Sequence, residues 1–91
     1  MTRRRKTRWP AWWQWELSIS DHVERRMEER GFSEVDLRGM LANAASLHPS
    51  PAAGRFVVEC RWQRRAWQVV VEPHQDGPRL IVVTAWQEEA R

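Results

Sequence analysis

The apolar residues of this chain keep two different periods, and the change falls at Gly54. Before it, Leu37, Met40, Leu41 and Ala44 follow the i, i+3, i+4, i+7 spacing of an amphipathic helix. After it, Phe56, Val58 and Cys60, and then Trp67, Val69 and Val71, recur at every second position, as in half-buried strands. A chain carrying both periods in separate halves is neither all-α nor all-β. It predicts an α+β fold, two N-terminal helices packed on a small antiparallel sheet. Ninety-one residues make one such domain. A domain of that size buries a modest fraction of its surface, so its core must be efficient. Seven tryptophans offer large rings for that purpose. Four of them, Trp9, Trp12, Trp13 and Trp15, crowd the first fifteen residues, too many for one strand to bury.

The elements follow in order. Residues 13 to 19 alternate, with Trp13, Trp15, Leu17 and Ile19 on one side. Ser20 or Asp21 then caps a helix, and Asp21 with Glu24 has capping-box spacing. That helix turns Val23 and Met27 inward and stops at Gly31. Ser33, with Asp36 three residues on, starts a second helix that runs to Leu47 and breaks at His48-Pro49-Ser50-Pro51. Gly39 inside it costs about 1 kcal/mol relative to alanine, which marks a close approach to a neighbour. Two strands flank a polar turn at Trp62 to Arg65. A second turn, Pro73 to Pro78, leads to a strand, Leu80 to Trp86, that is apolar on both faces and belongs inside the sheet. The expected order is βααβββ.

The net charge of +3 hides an asymmetry. Arg3, Arg4, Arg5, Lys6 and Arg8 are five of the fifteen basic residues, and from Trp9 onward ten basic residues stand against twelve acidic ones. The basicity therefore describes an arm. Residues 1–12 are expected to form that basic, Trp-containing arm, disordered over Thr2 to Arg8, and residues 13–88 the domain. The arm serves as a solubilising tail or as a sequence-blind grip on phosphates, weakened by salt. A lone Cys60 excludes an internal disulfide and a four-cysteine metal site, and in an apolar run it reads as a small buried hydrophobe. No apolar run has the length of a signal core or a membrane span, so no membrane partner is expected and the cytoplasm is the default compartment.

On the first helix His22, Arg26 and Arg30 follow at i, i+4, i+8 and share one stripe. Two guanidiniums beside an imidazole suit a phosphodiester: arginine holds the phosphate and its developing charge, and histidine moves a proton near neutral pH. The same helix face is also an ordinary solvated one, with Arg25, Arg26, Glu28, Glu29 and Arg30 in reach of one another. Arg61, Arg64 and Arg65 beside Trp62 form a second basic group, fitted either to nucleic acid or to protecting a hairpin tip from aggregation. Thr84 is the one hydroxyl in an otherwise apolar strand. The three histidines lack metal-ligand spacing, and no P-loop, GxGxxG, GxSxG or CxxC is present. No metal or other cofactor is expected.

Several runs together resemble a known family: S-x-H-x-x-x-R-x-x-x-R-G-F from Ser20 to Phe32, S-E-V-D-L-R-x-M-L from Ser33 to Leu41, G-R-F-V-V-E from Gly54, W-x-V-x-V-E-P from Trp67, and L-I-V-V-T-A-W from Leu80 to Trp86. They are similar to a widespread bacterial family of small domains of unknown function, close to the BrnT toxins and near the RelE-like ribonucleases. The resemblance covers about Trp13 to Trp86. It implies a compact fold of helices against an antiparallel sheet, and a metal-independent ribonuclease toxin held in check by an antitoxin. By motif position it implies a site at His22, Arg26, Arg30 and Thr84. The chain departs from the pattern at three places. Trp62 stands where a polar residue is expected, His74 where an aspartate is, and Trp86 where a tyrosine hydroxyl would donate a proton or touch phosphate.

Two functional expectations follow. One is a toxin-like endoribonuclease or RNA-binding domain of a toxin–antitoxin type system. In it His22, Arg26, Arg30 and Thr84 form the catalytic set, Arg61, Arg64, Arg65, Arg3, Arg4 and Arg5 bind nucleic acid, and RNA and a cognate antitoxin are the partners. The other is a non-catalytic interaction module, antitoxin-like, immunity-like or accessory, suggested by the surplus of N-terminal tryptophan. A third, non-specific DNA binding by the arm, predicts steep salt dependence.

Overall fold

The computed structural model describes residues 9–88. A 3₁₀ turn, Ala11–Gln14, leads into β1 (Glu16–Ile19), and the chain continues through α1 (Asp21–Arg30), α2 (Glu34–Ala42), β2 (Ala44–Pro49), β3 (Phe56–Trp62), β4 (Arg65–His74) and β5 (Arg79–Gln87). The five strands form one sheet in the order β1-β5-β4-β3-β2. The fold is the expected α+β one, with two refinements. The sheet is mixed, since β1 lies parallel to β5 while the other pairs are antiparallel. It also gains a strand, β2, where the helical spacing was read through to Leu47. The helix ends earlier because Asn43 caps it, donating its backbone N–H and its side-chain amide to the carbonyl of Gly39. Ala44 and Leu47 still pack on the core, now from a strand.

Capping sets both helices. Ser20 caps α1, accepting from the Val23 N–H, while Asp21 is already helical. Gly31 ends it in the left-handed region at φ 71°, a conformation that costs glycine nothing. Ser33 and Asp36 form a reciprocal capping box at the start of α2. The first strand is shorter than its alternation suggests: Trp12 and Trp13 belong to the 3₁₀ turn, which spans the boundary drawn between arm and domain. Trp12 lies on Phe56, ring centroids 4.9 Å apart. The expectations for Arg3, Arg4 and Arg5 lie outside the described residues.

Both helices sit on one face of the sheet. Val23, Phe32, Leu37 and Met40 meet Val58, Cys60, Trp67, Val69, Val71, Leu80, Val82 and Ala85 in the core. Cys60 is buried there, and its thiol is pushed up to about 11, by burial first and then by the Glu88 carboxylate. It is a core residue with no nucleophilic character near neutral pH.

Two local features position the functional surface. A β-bulge lies in β5: Val71 pairs with Val82 but Val70 pairs with Thr84, so Val83 is an extra residue. Alternation resets there, returning Ala85 to the core and leaving Thr84 on the opposite face. The β3–β4 hairpin turns on two residues, since Trp62 pairs with Arg65, and both Gln63 and Arg64 have positive φ, 54° and 67°. That is the type I′ geometry that favours Asn-Gly, adopted by two side-chain-bearing residues at about 1 kcal/mol or more each. Arg64→Gly should therefore raise stability by about 1 kcal/mol in urea titration; an unchanged or lower midpoint would show that the turn is not strained.

On the open face Glu72 joins Arg55 and His74. The Arg55 Nε–H donates to Oε1 at 2.9 Å, and His74 Nε2 lies 2.8 Å from Oε2. These bonds, that from Arg55 foremost, hold the Glu72 carboxyl below its usual range. A depressed carboxyl pKa contributes stability above the unfolded value of about 4.3, lost as pH falls through the folded one. Wild type should exceed Glu72→Gln by about 1 kcal/mol or less at pH 7, the scale of a surface pair. The gap should close as the pH drops below about 4, and a gap that persisted at pH 2 would contradict the assignment.

Candidate functional site

The helix stripe is present, extended rather than gathered. His22 is exposed in the first turn of α1, with no hydrogen-bond partner among the described residues. Arg26 donates to Glu29 at 2.9 Å, an exposed i,i+3 pair. Arg30 leaves the last turn and reaches β5, its Nη1–H donating to the Ala85 carbonyl at 3.2 Å. This contact has a structural cause. The β1–β5 pairing ends at Val82, and the carbonyls beyond it need other donors. Ser20 Oγ–H serves Val83 at 3.3 Å and Arg30 serves Ala85. Eight residues of helix separate His22 from Arg30, about 12 Å. Thr84 does not join them, because the bulge turns it to the face away from α1.

The structure instead brings Arg30 to a different arginine. Arg30 and Arg65 line one recess of about 240 Å³ between the end of α1, the start of α2 and the β3–β4 hairpin. Gly31, Phe32, Asp36, Trp62, Gln63, Trp67 and Gln87 complete it. The rings of Phe32 and Trp67 are buried and meet edge to face, centroids 5.3 Å apart. Arg30, Gln63, Arg65 and Gln87 are exposed around them. The Asp36 carboxylate is tied through Oδ2 to the backbone N–H and hydroxyl of Ser33, at 2.9 and 3.2 Å. Trp67 Nε1 is a buried donor with no partner among the described residues, a condition that costs about 1–3 kcal/mol. Arg65 makes no ion pair among the described residues, so its five donors are available.

The hairpin arginines therefore divide. Arg65 shares the helix side with Trp62, whereas Arg61 pairs with Ala66 on the other face and donates to the Arg64 carbonyl at 3.4 Å. Trp62, expected as a stacking platform beside the arginines, is committed to packing on Gly39 of α2; a Cβ there would sit inside the ring's van der Waals surface. Sequence reasoning missed Asp36, Gln63, Trp67 and Gln87 as recess residues. The register signal for two of them was available, since a two-residue turn places Trp67 three pairs below the tip, opposite Gln87. Among the described residues no three His, Cys, Asp or Glu side chains gather as metal ligands, and no helix is long and apolar enough to cross a membrane.

A family model for a domain of unknown function, DUF4258, matches residues 19–87, from the end of β1 through β5. The chain belongs to the DUF4258 family. Both the helix stripe and the recess lie within the matched segment of this DUF4258 domain. Among solved structures it is similar to the 1.1 Å crystal structure of the Brucella abortus ribonuclease toxin BrnT, with TM-score 0.65 and 14% sequence identity, covering 85% of this chain and all of that one. At that identity the likeness is one of fold: the DUF4258 domain has a BrnT-like fold. No curated protein matches the chain.

Proposed function

We propose that this DUF4258 domain acts on RNA as a toxin-like module, seating a backbone phosphate between Arg30 and Arg65. The observation that carries the reading is that these two arginines, from separate elements, line one recess. Two planar forks facing one concavity suit a tetrahedral oxyanion. Arg26 and His22 continue the basic line along α1, so a strand leaving the recess passes them in turn. Cleavage on this track needs no metal. The scissile phosphate lies beside His22, one helical turn and more from the recess. The 2′-hydroxyl attacks phosphorus as the bond to the 5′-oxygen breaks, His22 takes the hydroxyl proton, and water protonates the departing 5′-oxygen. Arg26 offsets the charge of the pentavalent phosphate, while Arg30 and Arg65 hold a phosphate further along the strand. Thr84 plays no part, and the fold it shares with a ribonuclease toxin supports the substrate class.

The test is RNA binding and cleavage by the full chain in the presence of chelator. The double variant Arg30→Ala/Arg65→Ala should weaken single-stranded RNA binding roughly 10-fold or more and reduce the slope of log K against log salt by roughly 0.7, the value for the one phosphate the two arginines share. An unchanged slope would remove the recess from the reading. His22→Ala should leave binding intact and abolish cleavage of total RNA; wild-type protein that leaves RNA intact at high concentration would reduce the proposal to binding alone.

A second reading, a non-catalytic interaction module, is favoured by a larger recess of about 430 Å³ lined by Trp13, Trp15, Leu17, Leu41 and Leu80. Aromatic-lined concavities of this kind suit a small protein partner, an antitoxin included. Growth arrest on expression, relieved by a neighbouring gene product, favours the toxin; a stable complex with no arrest favours the module.

A further inference from the structure

β1 is an edge strand whose outer side carries peptide groups with no partner among the described residues. Ser20 N–H donates to the Val82 carbonyl, so the peptide groups of Ser20, Ser18 and Glu16 face β5. Those of Leu17 and Ile19, being of opposite parity, face outward. Such edges are usually blunted by lysine, proline or a bulge. This one, Glu-Leu-Ser-Ile, has a glutamate at its start and none of the three. Apolar surface from Trp13, Trp15 and Leu41 lies beside it.

We infer that β1 is the pairing edge for a second copy of this chain, joining two five-stranded sheets into one across a two-fold axis. A two-fold requires antiparallel pairing of β1 with itself, and the register is decided by chemistry. With Ser18 on the axis, Leu17 meets Ile19 of the second copy and Ile19 meets its Leu17, so all four outward peptide groups bond. Leu17 and Ile19 share the helix side with Leu80 and Val82, which gives apolar cross-strand pairs. Ser18 meets Ser18 on the open face, where two hydroxyls bond, and Glu16 meets Ser20, so no like charges are opposed. Centring on Leu17 instead would set Ile19 against Trp15, whose N–H already donates to Trp12. Centring on Glu16 would oppose two carboxylates. This edge lies along Arg79 to Val82, at the other end of β5 from Gln87, so each copy keeps its basic recess open.

Ser18 on the axis is a non-hydrogen-bonded pair, with Cα atoms about 4.5 Å apart, within reach of a disulfide. The full chain carrying Ser18→Cys should form a disulfide-linked dimer under mild oxidation, while Ser46→Cys should not; Cys60 is buried and silent. By sedimentation, wild type should be dimeric at tens of micromolar. Ser18→Lys, which sets two ammoniums face to face on a half-buried surface position, should be monomeric with an unchanged circular dichroism spectrum. Mixing Ser18→Lys with Ser18→Glu should restore the dimer. A wild-type monomer at high concentration, a Ser18→Lys dimer, or cross-linking through position 46 in preference to 18 would overturn the proposal. So would cross-linking of Ser18→Cys in cells to a different protein in place of its own copy. RNA binding is a separate readout, and its loss or retention leaves this outcome unaffected.

Discussion

Leu37→Ala is expected to cost about 2–5 kcal/mol, the range for deleting a fully buried leucine and leaving a cavity. Leu37 has no exposed surface and lies in the core cluster between the helices and the sheet. Its cost should fall in the upper part of that range, because a small single-layer sheet with two helices has little freedom to collapse onto the void. Against a total stability of about 5–15 kcal/mol, the loss brings the domain close to unfolding, and the melting temperature should drop by roughly 10 °C or more. Val35→Ala, two residues away in the same helix, is the control. Val35 is 76% exposed, and its truncation should change stability by less than about 0.5 kcal/mol. Urea titration of the two variants decides the matter: similar losses at both positions, or less than about 1 kcal/mol at Leu37, would contradict the packing described.

Gly39→Leu should cost about 3 kcal/mol, although the same change in an exposed helix interior would gain close to 1. The sign reverses because Trp62 lies on the helix backbone at Gly39, where a Cβ would overlap the far edge of the indole. The ring must leave, and its burial against α2 goes with it. A double-mutant cycle isolates this cause. In a Trp62→Ala background Gly39→Leu should cost less than about 1 kcal/mol, with the difference appearing as coupling between the two sites. Equal costs in both backgrounds would mean that Gly39 is constrained by something other than the ring. Because Trp62 pairs with Arg65 beside the turn, the contact also fixes the end of the hairpin that carries Arg65. Gly39→Leu should therefore weaken RNA binding along with stability.

Much of this was legible in the chain. The change of period at Gly54 called for helices followed by strands, and they form. Gly31 and Ser33 with Asp36 act through local backbone chemistry that no distant residue alters, whereas His48 and Pro49, read as the break of the second helix, lie in β2. The glycine at 39 announced a close neighbour. Identifying Trp62 as that neighbour needed the register, because Gly39 and Trp62 are 23 positions apart.

The candidate site was legible only in part. Spacing on α1 placed His22, Arg26 and Arg30 on one stripe, as any helix must. It could not reveal that Arg30 bends to the sheet edge left open where β1 ends, nor that Arg65 lines the same recess. Thr84 was misplaced for a specific reason: one extra residue at Val83 inverts the alternation for everything after it, and a bulge within an all-apolar run leaves no trace in hydropathy. β2 was hidden because Ala44 and Leu47 satisfy a helical pattern as well as a strand, and Asn43 decides between them by capping.

Taken alone, the amino-acid order determined where each helix begins, which residues enter the core, and that basic residues concentrate between positions 3 and 8 and in two further clusters. Those are outcomes of short-range propensity and burial, which act within a few residues. Which clusters meet, which strand is left with an open edge and which face receives Thr84 were decided only by tertiary pairing. A sheet's register is a long-range choice, and moving it by one residue exchanges its two faces.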